Sequence, residues 1–255
     1  MFSLTKTRFL LPSLCKASFS TTAFPNQKII AFFGAPGVGK GTYSRLLCKD
    51  LKLNPISIGD ELRKIIKGQV PSTFDPNLLK QIKEIVQSGK LVDDEIVFKI
   101  LEEKMKEPAS AVGVVLDGFP RTLKQLEKLQ EKFKVDLVLN IELNYEILLE
   151  KLLGRRVCAN CGQSYNICDI NKGEYVMPPL LPKKEGTCDE CGGHLIQRDD
   201  DTEAVISNRM KEYNEKTHPI LDKYRQLNIC IDIELKKGVA EYPRLLKVVK
   251  DNLKL

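Results

Sequence analysis

The segment from Gly34 to Thr42 is the part of this chain best suited to binding phosphate. Its sequence is GAPGVGKGT. Closely spaced glycines let successive backbone N–H groups point into one concavity, where they bind an anion. Lys40 adds a full positive charge, and a helix that begins there adds the positive end of its dipole. The segment therefore predicts a cradle for a triphosphate.

The alternative for these glycines is an ordinary flexible loop. The flanking residues favour the cradle, because the apolar run Ile29–Phe33 predicts a buried strand and Tyr43–Leu47 predicts a helix. Strand, glycine-rich turn and helix is the arrangement that a phosphate loop requires. Gly41 stands between Lys40 and Thr42, whereas the common P-loop places Ser or Thr directly after the lysine. This spacing indicates a subset of the P-loop enzymes.

Four cysteines have the spacing of a structural zinc site. Two CxxC pairs, Cys158 with Cys161 and Cys188 with Cys191, are separated by 26 residues, and a glycine follows each pair. Four thiolates complete the tetrahedron of Zn²⁺ and leave no position open for catalysis. Two disulfides, or a site that has lost its metal, are the alternatives. Cys168 and His194 lie nearby in the sequence, but each breaks the paired spacing.

Alternating strands and helices must position these groups. Apolar runs predict strands at 29–33, 112–116, 137–141 and 229–233. Helical periodicity predicts helices at 61–67 (with Asp60 as N-cap), 78–87, 94–105, 122–132, 145–153, 202–217 (interrupted by Pro219) and 244–253. This order predicts an α/β fold with a parallel sheet flanked by helices. Ligands bind such sheets at the carboxyl ends of the strands, where Lys40 and Asp117 both lie.

Composition limits the function classes further. The net charge is +6, but the first 49 residues contain no acidic residue, so the excess lies at the N-terminus. Residues 1–26 are basic and rich in Ser and Thr, which predicts an organellar transit peptide, mitochondrial rather than plastid. A tail without an address, and hence a cytoplasmic protein, is the alternative. The rest of the chain is nearly balanced, which disfavours nucleic-acid binding, and no apolar stretch is long enough to span a membrane.

Taken together, the motifs resemble the adenylate kinase family of nucleoside monophosphate kinases, in its long form with a zinc-bearing lid. The matching segments appear in family order: GAPGVGKGT at 34–42, SIGD at 57–60, GKLV at 89–92, LDGFPRT at 116–122, GRRV at 154–157, the CxxC pairs, RDDD at 198–201 and Arg209. The resemblance implies a P-loop NTPase core (27–56, 93–153 and 202–255), a mobile AMP-binding insertion (57–92) and a mobile zinc lid (154–201).

The resemblance also implies the reaction and the residues that carry it. ATP and AMP exchange the γ-phosphoryl group with Mg²⁺ to give two ADP, in a monomer. The residues at the transferring group are Lys40, Asp117, Arg121, Arg155, Arg198 and Arg209, and Asp117 orders Mg²⁺ through water. ATP contacts Gly37, Val38, Gly39, Lys40, Gly41, Thr42, Lys151, Arg155, Ser164 and Tyr165. AMP contacts Ile58, Arg63, Lys90, Leu91, Val92, Gly118, Phe119, Pro120, Arg121, Gln125, Arg198 and Arg209.

Several of these side chains have simpler alternatives. Thr122 and Gln125 have the spacing of a capping box, whereas the resemblance places Gln125 at the adenine of AMP. Arg198 has possible partners in Asp200 and Asp201. Arg155 with its neighbour Arg156 would form a solvated pair, and Arg209 would be a plain surface residue of a helix.

Two positions depart from the family pattern, and they leave the nucleotide specificity open. Ile58 replaces a threonine that faces AMP in many relatives. Lys151 replaces an arginine that stacks on the donor adenine. A sibling enzyme that uses GTP as donor, or UMP or CMP as acceptor, is therefore an alternative. A non-catalytic nucleotide-binding module is a further one, but it has no need of so many arginines. A zinc-ribbon nucleic-acid binder is disfavoured, because residues 158–191 are not strongly basic.

Overall fold

A five-stranded parallel sheet forms the centre of the fold. The structure is a computed structural model that describes residues 27–70 and 74–254. Strands β1 to β10 of this part are, in chain order, Lys28–Phe33, Asn54–Ser57, Gly113–Asp117, Leu137–Glu142, Arg155–Cys158, Ser164–Asn166, Ile170–Lys172, Tyr175–Met177, Leu195–Ile196 and Cys230–Glu234. The central sheet has the order β10-β4-β1-β3-β2, and every neighbouring pair is parallel. The α/β class and the four strands expected from apolar runs are confirmed.

Helices cover both faces of this sheet. In the described ranges, α1 to α9 are Lys40–Leu51, Ile58–Ile66, Pro76–Gln87, Asp94–Met105, Leu123–Lys132, Tyr145–Leu153, Glu203–Glu212, His218–Gln226 and Tyr242–Leu253, with 3₁₀ turns at Pro108–Ser110 and Gly238–Glu241. Alternate residues of β1 enter two apolar clusters: Ile29 and Phe33 pack in one, Ile30 and Phe32 in the other. A strand buried on both faces is expected to read as a continuous apolar run. The predicted transit peptide, 1–26, lies outside the described residues.

Helix α2 begins earlier than its sequence pattern predicts. Ser57 is the N-cap residue, because it has extended backbone dihedrals and its hydroxyl accepts the N–H of Asp60. The prediction that Asp60 caps this helix is therefore wrong. Asp60 lies inside the first turn, where its carboxylate accepts a hydrogen bond from Arg63 at 2.6 Å. A carboxylate here also complements the positive end of the helix dipole.

Pro219 does not break the helical path after residue 202. Helix α7 continues through a π-helical turn, Tyr213–Thr217, directly into α8, and Pro219 lies in the first turn of α8. Proline is tolerated at that position because the first turn needs no N–H donor. The expectation of an interruption at Pro219 is therefore wrong. The π turn marks the change of hydrogen-bond pattern instead.

Residues 154–201 form a separate small β structure beside the central sheet. Strands β6, β5 and β9 make one antiparallel sheet, and β7 pairs with β8 in a hairpin. This hairpin packs on the core, because Ile170 and Met177 are buried against Ile147 of α6. None of the helices in the described ranges has the length and apolar character needed to cross a membrane.

Candidate functional site

The phosphate loop connects β1 to α1 and is fixed by close packing. Gly34 has a φ of +133°, and a Cβ atom there would lie 2.4 Å from the carbonyl oxygen of Ile141. Gly37 has a φ of +92°, and its Cβ would lie 2.7 Å from Cγ of Leu152. Both positions therefore require glycine. The Lys40 ammonium donates to the carbonyl oxygens of Gly34 at 2.7 Å and Ala35 at 3.0 Å, so the lysine folds back over the loop.

Lys40 and Asp117 form the charged centre of the site. Burial lowers the pKa of Lys40 to about 8, while the Asp117 carboxylate opposes that shift. Burial raises the pKa of Asp117, and Lys40 opposes that shift in turn. A Cβ atom on Gly41 would lie 3.3 Å from Oδ2 of Asp117, so this carboxylate faces the loop directly. Both charged groups therefore lie at the phosphate loop.

One cavity of about 300 Å³ brings together nearly all the residues that the sequence nominated. Of the nominated set, those lining it are Gly37, Gly39, Lys40, Gly41, Thr42, Ile58, Arg63, Lys90, Leu91, Val92, Asp117, Gly118, Phe119, Pro120, Arg121, Gln125, Lys151, Arg155, Ser164, Tyr165, Arg198 and Arg209. Val38 is absent from the lining, because its side chain is buried in the apolar core. Ile58 also packs into the core, although it reaches the cavity wall.

Arginines from distant parts of the chain converge on this cavity. Arg155 donates to both carboxylate oxygens of Asp201, so it is not a solvated pair with Arg156. Arg209 donates to Asp200, and its side chain is 18% exposed, so it is not a plain surface residue. Arginine binds carboxylate and phosphate oxygens with the same planar fork, so groups able to bind phosphate are held in place by these pairs.

Asp60 is a second anchor for the arginines. Its carboxylate accepts from Arg63 at 2.6 Å and from Arg198 at 3.0 Å. Arg198 thus pairs across the cleft and not with its neighbours Asp200 and Asp201. Burial raises the pKa of Asp60, but the two guanidinium groups outweigh burial and hold that pKa well below its usual range. Burial and the nearby Arg155 lower the pKa of Arg209, yet a guanidinium group stays protonated in proteins.

Gln125 has both ends of its side chain occupied. Its Oε1 accepts the N–H of Arg121 at 2.7 Å, and its Nε2 donates to Asp94 at 2.6 Å. The Thr122 hydroxyl accepts the N–H of Gln125, so half of the predicted capping box is present. The other half is wrong, because the Gln125 side chain reaches Arg121 and not the N–H of Thr122.

Sequence reasoning nominated Asp117 but missed the acidic residues that hold the arginines and Gln125 in place. The sequence predicted a cap at Asp60, named Asp200 and Asp201 only as possible partners of Arg198, and indicated no role for Asp94. One signal was present, since Asp60 precedes Arg63 by three residues and such pairs meet on a helix surface. The pairing of Asp60 with Arg198 joins positions 138 residues apart and had no local signal.

The four cysteines meet in a single cluster. Their Sγ atoms all lie within 4.8 Å of one another. Cys158 and Cys191 are 3.4 Å apart, and Cys161 and Cys188 are 3.6 Å apart. These distances suit thiolates around a metal, since Zn–S bonds of about 2.3 Å place tetrahedral sulfurs nearly 4 Å apart, whereas a disulfide is about 2.05 Å. The donor set therefore fits Zn²⁺. Cys168 stays outside, with its thiol donating to the carbonyl oxygen of Glu150.

The cysteine-bearing segment contacts α1 and the residues that follow α2. Arg45 of α1 donates to the carbonyl oxygen of Gly162 at 2.8 Å. Gln69, which follows α2, donates to the carbonyl oxygen of Ala159 at 3.3 Å. Helix α1 and the segment after α2 thus both contact the cysteine-bearing segment.

Comparison with known proteins gives a consistent result. The sequence model of the adenylate kinase family matches residues 32–229. The chain is 40% identical over 222 residues to "Probable adenylate kinase 1, chloroplastic" of Oryza sativa subsp. japonica, covering 86% of this chain and 74% of that protein. It is 39% identical to the adenylate kinase of Carboxydothermus hydrogenoformans, covering 83% and 94% respectively. It is 38% identical to the "GTP:AMP phosphotransferase" of Plasmodium falciparum, covering 84% and 92%.

Proposed function

This chain belongs to the adenylate kinase family of phosphotransferases, and we propose that it transfers the γ-phosphoryl group of ATP to AMP, giving two ADP. One observation carries this reading: Lys40, Asp117 and the arginines line one cavity with the phosphate loop. Phosphoryl transfer needs positioned positive charge more than covalent chemistry. A protein that only bound nucleotide would have no need of arginines from three distant segments.

Different side chains bind different parts of the two substrates along the cavity. Lys40 and the N–H groups of the loop bind the donor phosphates, and Arg63 binds the phosphate of AMP. Arg121, Arg155, Arg198 and Arg209 surround the transferring group. Carboxylates hold Arg63, Arg155, Arg198 and Arg209 at the cavity, and the carbonyl oxygen of Gly118 holds Arg121, so these guanidinium groups are positioned before phosphate oxygens arrive. The AMP phosphate is already anionic, and hence no general base is needed.

Metal ions take two separate roles in this proposal. Asp117 would hold Mg²⁺ through water, and the ion would neutralise phosphate charge on the bound ATP. Zinc belongs to the cluster of Cys158, Cys161, Cys188 and Cys191 and is structural. It stabilises a segment whose strands are two to four residues long and that has only a small apolar cluster of its own.

Two insertions would move during the cycle. Residues 57–92 close over AMP, and residues 154–201 close over ATP. Their closure excludes water, which would otherwise accept the phosphoryl group. Because one chain supplies every group of the site, we expect a monomer, and sedimentation at micromolar concentration tests this.

GTP is the second candidate donor. Lys151, which replaces a stacking arginine, carries only hydrogen-bond donors, and guanine offers a carbonyl oxygen where adenine offers an amino group. The Plasmodium relative named GTP:AMP phosphotransferase supports this alternative. UMP or CMP as acceptor is a further alternative.

A coupled assay decides between these donors and acceptors. The zinc-loaded chain from about Phe24 receives Mg²⁺, ATP or GTP as donor, and AMP, CMP or UMP as acceptor. Fast ADP formation from ATP and AMP alone supports the proposal, whereas transfer from GTP or to a pyrimidine supports a sibling specificity. The Lys40→Met variant is the control and should lose about a hundredfold in rate. Nucleotide binding without transfer to any acceptor would refute the kinase assignment.

We propose an organellar location. The basic, acid-free residues 1–26 support it, and several relatives are named chloroplastic. Mitochondrial rather than plastid import is the finer expectation. Microscopy of a fluorescent protein fused behind residues 1–27 tests it, and diffuse cytosolic fluorescence would count against any organelle.

A further inference from the structure

The hairpin β7–β8 lies between the two cysteine pairs but is attached to the core. Ile170 and Met177 are 1% and 5% exposed and pack against Ile147 of α6. The N–H of Val176 donates to the carbonyl oxygen of Lys236 at 2.9 Å, just after β10. The hairpin thus adds a short piece of backbone pairing to the end of the central sheet.

Polar contacts hold the hairpin in the same place. The Tyr175 hydroxyl donates to Glu234 at 2.6 Å, and Lys236 pairs with Glu174 at 2.6 Å. Lys172 pairs with Glu150 of α6, also at 2.6 Å. Exposed ion pairs contribute little stability each, so the buried apolar contact supplies most of the attachment. The hairpin is therefore held against the core in this structure, where it forms one wall of the cavity.

The sheet order places this wall at the donor end of the cavity. The phosphate loop follows the central strand β1, while Arg63 and Gln125 follow β2 and β3 on one side. On the other side, Lys151 follows β4 and Gly238 follows β10. Lys151 also approaches the phosphate loop, since its ammonium lies 3.9 Å from the position a Cβ of Gly39 would take. A donor whose phosphates lie on the loop therefore extends its base toward β4 and β10.

Met177 reaches the cavity at that end. It lines the same cavity as Lys151, Ile170 and Gly238. Gly238 has a φ of +57°, and a Cβ there would lie 3.5 Å from both Cβ and Cγ of Met177. The missing side chain at Gly238 thus gives Met177 room. A thioether beside an aromatic ring is favourable, because sulfur is polarizable and the side chain adapts to the ring.

We propose that Met177 is a binding residue for the base of the donor nucleotide and that it packs against a purine ring. This inference rests on the proposed function, because it assumes that the phosphate loop holds the donor. It gives the hairpin a role in selecting the donor. Adenine and guanine share the purine face, so the contact favours both over a pyrimidine.

Methyl NMR of the zinc-loaded chain tests the contact directly. The chain has four methionines, so ¹³C-methyl labelling gives few signals, and the Met177→Leu variant assigns the one of interest. With Mg·ATP, the Met177 methyl should move upfield because it lies over an aromatic ring. Mg·tripolyphosphate and AMP should leave it in place. A Met177 signal that stays unmoved at saturating Mg·ATP would overturn the inference.

Kinetics give a second and independent readout. Met177→Ala should raise KM for ATP about three- to tenfold and narrow the preference for ATP over CTP, with KM for AMP unchanged. Met177→Leu, which keeps the volume, should recover most of the loss. Val176→Ala is the matched control, because this neighbouring side chain is 46% exposed. Equal changes in both KM values would indicate a structural role only and would count against the inference.

The two proposals fail in different ways. If the wild-type chain transfers phosphate from ATP to AMP but neither the Met177 signal nor its variants respond, only the assignment of Met177 is wrong. If the wild-type chain transfers phosphate from no donor, the proposed function is wrong, and the role of Met177 falls with it.

Discussion

Two buried lysines near the phosphate loop make donor binding sensitive to pH. Burial lowers the pKa of Lys40 and of Lys151 to about 8 each. A bound polyphosphate favours their charged forms and raises both pKa values again. Between about pH 8 and the higher pKa values of the ATP-bound state, binding of ATP must therefore be accompanied by proton uptake at these two lysines. We expect ATP affinity to be constant near pH 7 and to fall as pH rises above 8.

Calorimetry in buffers of different ionisation enthalpy measures this proton uptake. The Lys151→Met variant should retain the proton uptake by Lys40 and lose the uptake by Lys151. The total uptake should therefore fall but not reach zero. An affinity that does not change from pH 7 to 9.5 would contradict the expected shifts.

Asp60 is predicted to position two arginines for both substrates. Asp60→Asn removes the charge that orients Arg63 and Arg198 but keeps the size of the side chain. We expect kcat/KM for AMP to fall roughly tenfold, because a charge-assisted hydrogen bond contributes on the order of 1.5–3 kcal/mol. Steady-state kinetics measure the change. Glu61→Gln is the control, since Glu61 follows Asp60 in the sequence but pairs with Lys64 and Lys104.

The residues of this site were predictable where their signal is local. The phosphate loop could be found because its glycines, lysine and flanking strand are contiguous in the sequence. The anchors could not, because Asp60 and Arg198 come together only through the tertiary fold. Gln125 shows the same limit, since its partner Asp94 lies 31 residues away on another helix.

At the scale of elements, we expect residues 154–201, which carry the four clustered cysteines, to fold only when Zn²⁺ is bound. Removing Zn²⁺ leaves the cluster of Cys158, Cys161, Cys188 and Cys191 without its central ion, in a segment with a very small apolar core. We expect chelation to lower the melting temperature and the activity together, and added Zn²⁺ to restore both. Mass spectrometry should find one zinc per chain.

A Cys168 variant is the control for the assignment of the four zinc ligands. Cys161→Ser should lose zinc, whereas Cys168→Ser should retain it, because the Cys168 thiol bonds to Glu150 instead. Zinc loss in both variants would mean that the ligand set is wrong.

Sequence patterns predicted long elements better than short ones. The inner strands β1, β3 and β4 are five or six residues long with mostly buried apolar side chains, whereas the edge strands β2 and β10 are less buried. The hairpin β7–β8 has three residues in each strand, which is too short to display alternation. Its position depends on contacts with Glu234 and Lys236 in a remote segment. The π turn before α8 was missed because proline allows either a break or a first helical turn.

At the scale of the whole molecule, hydrogen bonds join residues 154–201, the predicted zinc lid, to α1 and to residues 57–92, the predicted AMP-binding insertion. Arg45 connects α1 to the carbonyl oxygen of Gly162, and Gln69 connects the AMP insertion to Ala159. Asp60 and Arg198 form a third link between the same two segments. We propose that these hydrogen bonds form when the two segments close, so that binding of one nucleotide favours binding of the other.

Arg45→Met should weaken closure without touching the reacting groups. It removes the hydrogen bonds to the carbonyl oxygens of Cys161 and Gly162 and keeps most of the apolar stem. We expect a kcat several-fold lower and a larger share of ATP lost to water, since an incompletely closed site admits solvent. Lys49→Met is the matched control, because Lys49 lies exposed on the same helix. Small-angle scattering with a bisubstrate analogue should show a larger radius of gyration for Arg45→Met alone. An unchanged radius and unchanged hydrolysis would mean that closure depends on the arginines inside the cavity and not on this outer contact.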